Sequence, residues 1–90
     1  MAKKNVLVKS KSRKKLPDVA AFLRELADKV ESGQVSLVQG EEDVSVVLPE
    51  TVSFELEYYE QPKKRGIKKQ LEIELDWTEG GKKRPKVILG

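Results

Sequence analysis

The sequence predicts an α+β domain in the order β-α-β-β-β-β, with one amphipathic helix packed on one face of a four- to five-stranded, mainly antiparallel sheet. Three observations predict it. Residues 70–77, QLEIELDW, put Leu71, Ile73, Leu75 and Trp77 on one side of an extended chain and Glu72, Glu74 and Asp76 on the other. Such period-two alternation marks a strand with one apolar and one wet face. Between residues 19 and 30 the apolar residues follow helical spacing instead. After Gly33 the period returns to two and stays there.

Taken in order, Asn5–Ser10 reads as a short first strand, with Val6 and Val8 on one face, followed by the basic connection KSKSRKK. Leu16-Pro17-Asp18 opens the helix, because proline suits the first helical position and an acid in the first turn complements the macrodipole. Val19, Phe22, Leu23, Leu26, Ala27 and Val30 form its apolar stripe, and Gly33 is the left-handed stop. Val35 and Leu37 alternate with Ser36 in the next strand. Residues 40–43 turn the chain, and Val44, Val46 and Leu48 carry the following strand to Pro49. Val52, Phe54, Leu56 and Tyr58 alternate with Ser53, Glu55, Glu57 and Tyr59, and residues 61–66 form the tip before the QLEIELDW strand. The single domain spans residues 1–81, with its core in 5–78, and residues 82–90 are a basic tail or an extra short strand. Trp77 and the Phe22/Leu26 side of the helix are expected inside the core.

Pairing the last two strands around Lys64-Arg65 has a consequence in charge. Phe54, Leu56 and Tyr58 must share a face with Leu71, Ile73 and Leu75, and a one-residue slip would expose half of that set. Placing Tyr58 opposite Leu71 sets Glu57 against Glu72 and Glu55 against Glu74. A shift of two residues only exchanges acidic partners, with Asp76 joining them. Like charges directly opposite cost roughly 0.2–1 kcal/mol per pair. Lys9 and Lys11 on the first strand, the Lys82–Lys86 tail or a basic partner would offset this acidic face.

The arrangement resembles the amphi-Trp domain family. The resemblance is carried by a basic lead-in, the helix DVAAFLRELADKVESG (Asp18–Gly33) and alternating strands that end in ELDW (Glu74–Trp77). It covers roughly Val6 to Trp77. It implies a fold and no catalytic residues, and the basic hairpin tip and tails depart from the acidic character expected of its members.

Composition narrows function further. Of 90 residues, 37% are charged and the net charge is +3, with no cysteine and no histidine. Disulfides, zinc–thiolate sites and the commonest general base are thereby removed. No phosphate loop, Ser–His pair or HExxH spacing is present, so no enzyme activity, catalytic residue, metal site or small-molecule cofactor is expected. No apolar run reaches the ~20 residues of a membrane span, and the apolar stretch after Met1-Ala2-Lys3-Lys4 is too short for a signal peptide. A cytoplasmic protein with no membrane partner is expected, and one Asn and one Met among many Lys and Glu lean toward a thermophilic source.

Function is then expected from charged surfaces. The acidic face is Glu55, Glu57, Glu72, Glu74 and Asp76. The basic set is Lys9, Lys11, Arg13, Lys14 and Lys15 before the helix, Lys63, Lys64, Arg65, Lys68 and Lys69 at the tip, and Lys82, Lys83, Arg84 and Lys86 in the tail. The first expectation is a non-enzymatic module for protein–protein interaction or homodimerisation. The alternative is nucleic-acid binding, DNA or RNA, without sequence reading, because basic arms and loops make phosphate contacts.

Overall fold

The computed structural model describes residues 3–80 and 87–89. Among them lie one helix and four strands: α1 (Leu16–Ser32), β1 (Gln34–Gln39), β2 (Glu42–Val47), β3 (Ser53–Lys63) and β4 (Gly66–Asp76). The α+β class and the antiparallel pairing hold. The single broad sheet does not, because β1 pairs only with β2 and β3 only with β4, giving two separate two-stranded sheets. The chain divides into two compact units, Met1–Thr51 and Val52–Gly90.

In the first unit, α1 begins where proline permits. Pro17 occupies the first turn and Asp18 is the acid there, while the Lys15 carbonyl accepts from the amides of Asp18 (3.0 Å) and Val19 (3.1 Å). The helix ends at Gly33, whose φ of 87° lets its amide donate back to the Val30 carbonyl, a conformation that a side chain would strain. The turn leads straight into β1. Residues Val35 and Leu37 of β1 share a face with Val46 and Val44 of β2 in the register Val35↔Val46 and Leu37↔Val44. That face receives α1, and Val35, only 9% exposed, is the one buried hydrophobic among the described residues. Gly40 and Glu41 close the hairpin, and a positive φ at Gly40 alone is the pattern of a type II′ turn.

The expected first strand is absent: residues 5–10 have no ladder partner. The Lys9 carbonyl accepts instead from Gln39 Nε2 at 2.8 Å, so a side chain takes the bond that a neighbouring strand would have used. Seven residues of KSKSRKK carry five cations and end beside a helix start, which leaves little to hold an extended segment in register. Lys9 and Lys11 therefore have no strand on which to flank the acids of β4. Phe22 is 58% exposed and so does not sit in a core, contrary to expectation, and Leu26 is half-buried. The helix rests on one strand of a narrow hairpin, and two strands offer too little width to cover its whole stripe.

The second unit is a long hairpin. Its register is Phe54↔Leu75, Glu55↔Glu74, Leu56↔Ile73, Glu57↔Glu72 and Tyr58↔Leu71, continuing to Lys63↔Gly66. This is one of the registers, two residues apart, that the alternation allows. Both strands run further toward the tip than the sequence suggested, so that Lys64 and Arg65 alone form the loop. Gly66, at φ 109°, takes the left-handed step of the reversal, and no other residue there has a positive φ. Residues 87–89 form no strand, and the rest of the expected tail or extra strand over residues 82–90 lies outside the described residues.

Candidate interaction surface

The hairpin β3–β4 sorts its side chains by parity. One face carries Phe54, Leu56 and Tyr58 opposite Leu75, Ile73 and Leu71, and after one polar pair it resumes with Pro62 opposite Ile67. The other carries Glu55 and Glu57 opposite Glu74 and Glu72, with Asp76 opposite Ser53. The apolar face is open: Phe54 is 66% exposed, Leu71 65% and Ile73 52%, and Leu56, Tyr58 and Ile67 are similar. Sequence reasoning assigned these residues to a core. A two-stranded ribbon is too thin to have one, since each face needs a second layer to be buried. The signal for the extra reach was present, because Ile67 continues the parity of Leu71, Ile73 and Leu75.

Within this face sits one charged pair, Glu60↔Lys69. Lys69 Nζ lies 3.8 Å from Glu60 Oε2, and the Tyr58 hydroxyl donates to that same oxygen at 2.8 Å. The carboxylate beside the phenol raises the Tyr58 pKa above its ordinary value of 10.0, with a smaller contribution from loss of water. The face thus neutralises its own charges.

On the acidic face a different network forms. The Tyr59 hydroxyl donates to Gln70 Oε1 at 2.6 Å, and Gln70 Nε2 donates to Glu72. Tyr59 and Gln70 are half-buried by each other across the ladder, whereas Glu55, Glu57, Glu72, Glu74 and Asp76 are exposed. Among the described residues no three carboxylates converge where an ion could be held. Trp77, just past β4, is half-buried, and its indole N–H donates to Glu79 Oε1 at 3.4 Å.

The basic residues fall in different places. Lys63, Lys64, Arg65, Lys68 and Lys69 gather at the hairpin tip, all exposed. Lys9, Lys11, Arg13, Lys14 and Lys15 belong to the first unit, on the segment entering α1, and are exposed as well. Lys82, Lys83, Arg84 and Lys86 lie outside the described residues. The hairpin is consequently polar along its length, with carboxylates at its base and cations at its tip.

Concavities are modest. A cleft of about 100 Å³ lies between Phe22 and Leu26 of α1 and Val35 and Leu37 of β1. A larger one of about 440 Å³ is bounded by Val8, Ser10, Phe22, Leu37, Val38 and Gln39, with no charged group to orient a ligand. Small-molecule pockets usually span ~300–1,000 Å³ and combine an apolar wall with a few convergent polar groups. The first cleft, although Glu25 and Lys29 also line it, is well below that size, and the second lacks the charged groups. No helix among the described residues is long and apolar enough to cross a membrane.

Comparison with known proteins returns no match among curated proteins and none among solved structures. The model of the Amphi-Trp domain, however, matches residues 1–89, nearly the whole chain, in keeping with the helix, the alternating strands and the terminal ELDW. The chain belongs to the Amphi-Trp domain family.

Proposed function

We propose that this protein is a non-enzymatic binding module whose working surface is the apolar face of β3–β4, and that what it binds is protein. The observation that carries this reading is the open row Phe54, Leu56, Tyr58, Leu71 and Ile73. Each side chain leaves more than half its surface in water. With Ile67, which lies beyond the Glu60–Lys69 pair, they leave roughly 600–800 Å² of apolar surface on one face, estimated from the area such side chains bury, at or beyond the largest patch a soluble monomer usually shows. Apolar area of that size on one face is unfavourable in water unless something covers it.

A second reading rests on the hairpin tip. Five cations within residues 63–69 form a compact basic knob on a two-stranded ribbon, a shape that enters a nucleic-acid groove. The acidic face of the same ribbon repels phosphate, and the outward aromatic Tyr59 is engaged with Gln70, which ranks this reading second.

Capture from source cells separates the two. Tagged wild-type chain, co-expressed with an untagged copy, should retain protein partners or the untagged copy after nuclease treatment, and Leu56→Lys should lose them. Partners that survive Leu56→Lys, or that disappear with nuclease, contradict a protein-binding apolar face.

A further inference from the structure

The occupant of the apolar face can be narrowed. Resting on the reading of β3–β4 as a binding face, we propose that it is covered by the same hairpin of a second copy. The two ribbons lie apolar face to apolar face and run antiparallel.

The area suits this pairing. Roughly 600–800 Å² from each ribbon approaches the ~800 Å² per partner of a standard stable interface, and a two-fold axis lets one patch serve both partners. Two stacked sheets about 10 Å apart interdigitate their inner side chains as in a sandwich, which supplies the second layer that a lone ribbon lacks.

Charge fixes the direction. Glu55, Glu57, Glu72, Glu74 and Asp76 occupy the base of the ribbon, and Lys63, Lys64, Arg65, Lys68 and Lys69 its tip. Eight residues separate the Glu55 and Lys63 positions on β3, about 26 Å at the strand rise. A parallel stack would superimpose like ends. An antiparallel one sets each basic tip level with the acidic base of the other copy. Because the carboxylates face away from the contact, the attraction acts through the field of the two ends and not through direct ion pairs. Such outer charges orient partners and speed encounter more than they add affinity, and salt weakens them.

The contact face itself tolerates burial. Its one ionic pair, Glu60 with Lys69, is matched within the chain, and the Tyr58 hydroxyl takes the remaining interest of Glu60. An unmatched charge in that place would forbid stacking. Pairing edge to edge serves less well, because it leaves the apolar face wet. Along β3 it also meets Pro62, which has no amide to donate.

Sedimentation of the purified full chain tests this across micromolar concentrations at 0.05 M and 0.5 M salt. Wild type should sediment as a dimer that dissociates on dilution. Ile73→Lys should weaken association at least 100-fold. Lys64→Glu combined with Arg65→Glu should weaken it about tenfold at low salt and little at high salt. The tip residues are exposed loop positions, so that variant keeps its fold, as circular dichroism can verify. A wild-type monomer throughout overturns the proposal. If capture by the apolar face persists in that case, the binding reading stands with a different protein as occupant. A dimer indifferent to Ile73→Lys rejects the face, and one indifferent to the tip reversal rejects the antiparallel direction.

Discussion

Exchanging Glu55 and Glu57 for lysine should stabilise the hairpin, although it removes two native side chains. In the observed register these positions face Glu74 and Glu72, so Glu55→Lys with Glu57→Lys turns two repulsive pairs into two attractive ones. Each directly opposed pair is worth roughly 0.2–1 kcal/mol in either direction. These groups are exposed and solvent screens them, so the combined gain is discounted to about 0.5–2 kcal/mol at low salt. For a domain of this size that corresponds to a melting temperature higher by several degrees, about 4–8 °C per kcal/mol. Thermal melts in dilute protein at 0.02 M and 0.5 M salt would measure it, and most of the gain should vanish at the higher salt. The same charge change made at Glu41 and Glu50, which face no acid across a ladder, should give little or none of it. Equal gains from both pairs of substitutions would mean that net charge, and not cross-strand opposition, is responsible.

A larger loss is expected from Val35→Ala. Val35 is the buried residue around which α1 and the β1–β2 hairpin assemble, and it stands two residues beyond the helix-terminating Gly33. Removing two methyl groups forfeits about 1.6 kcal/mol of transfer free energy, and incomplete collapse of the site adds to that, giving about 1.5–3 kcal/mol. So small an assembly has little to spare. The expected result is a melting temperature lower by roughly 10 °C or more, with early loss of the helical signal at 222 nm. Val35→Ile should cost far less, because the helix sits over a cleft that an added methyl can enter. If the two substitutions melt alike, Val35 is not the keystone of this unit.

These expectations show what could be read from the residues alone. Local periodicity identified α1 because a stripe at helical spacing, Pro17 and Gly33 all agree. It identified the parity of β3 and β4, which keeps Phe54, Leu56 and Tyr58 on the face of Leu75, Ile73 and Leu71, but it left registers two residues apart equally open. The two-residue loop Lys64-Arg65 selects among them. Long-range assembly was less legible. Alternation says that Leu56 and Ile73 want cover but not what provides it, so a core was assigned where the ribbon presents an open face. The pattern VLV at residues 6–8 has the composition of a strand, but a strand also needs a free edge to join, and no short motif encodes that. Pro49 was read as a turn joining neighbours in one sheet, whereas β2 and β3 do not pair. The acidic and basic residues were identifiable one by one. Their segregation, with Lys63, Lys64, Arg65, Lys68 and Lys69 at the tip and the acids on the strands behind it, is legible too; the extension of β3 and β4 to Lys63 and Gly66 is what sequence alone leaves out.

The opposition of faces on β3–β4 is what every functional statement about this protein rests on, and disulfide trapping probes it directly. The chain has no cysteine, so an introduced pair reports without interference. Residues directly opposite have Cβ atoms about 4.5–5.5 Å apart and diagonal neighbours markedly more, and a disulfide wants them near 3.8 Å. Under mild oxidation in dilute protein, Glu57→Cys with Glu72→Cys should close an intrachain bond readily, and Glu57→Cys with Ile73→Cys, on opposite faces in the observed register, should close poorly. Preferential closure of the second pair would slip the register by one residue, move Leu71, Ile73 and Leu75 to the face of Glu55 and Glu57, and contradict the surface described for this hairpin.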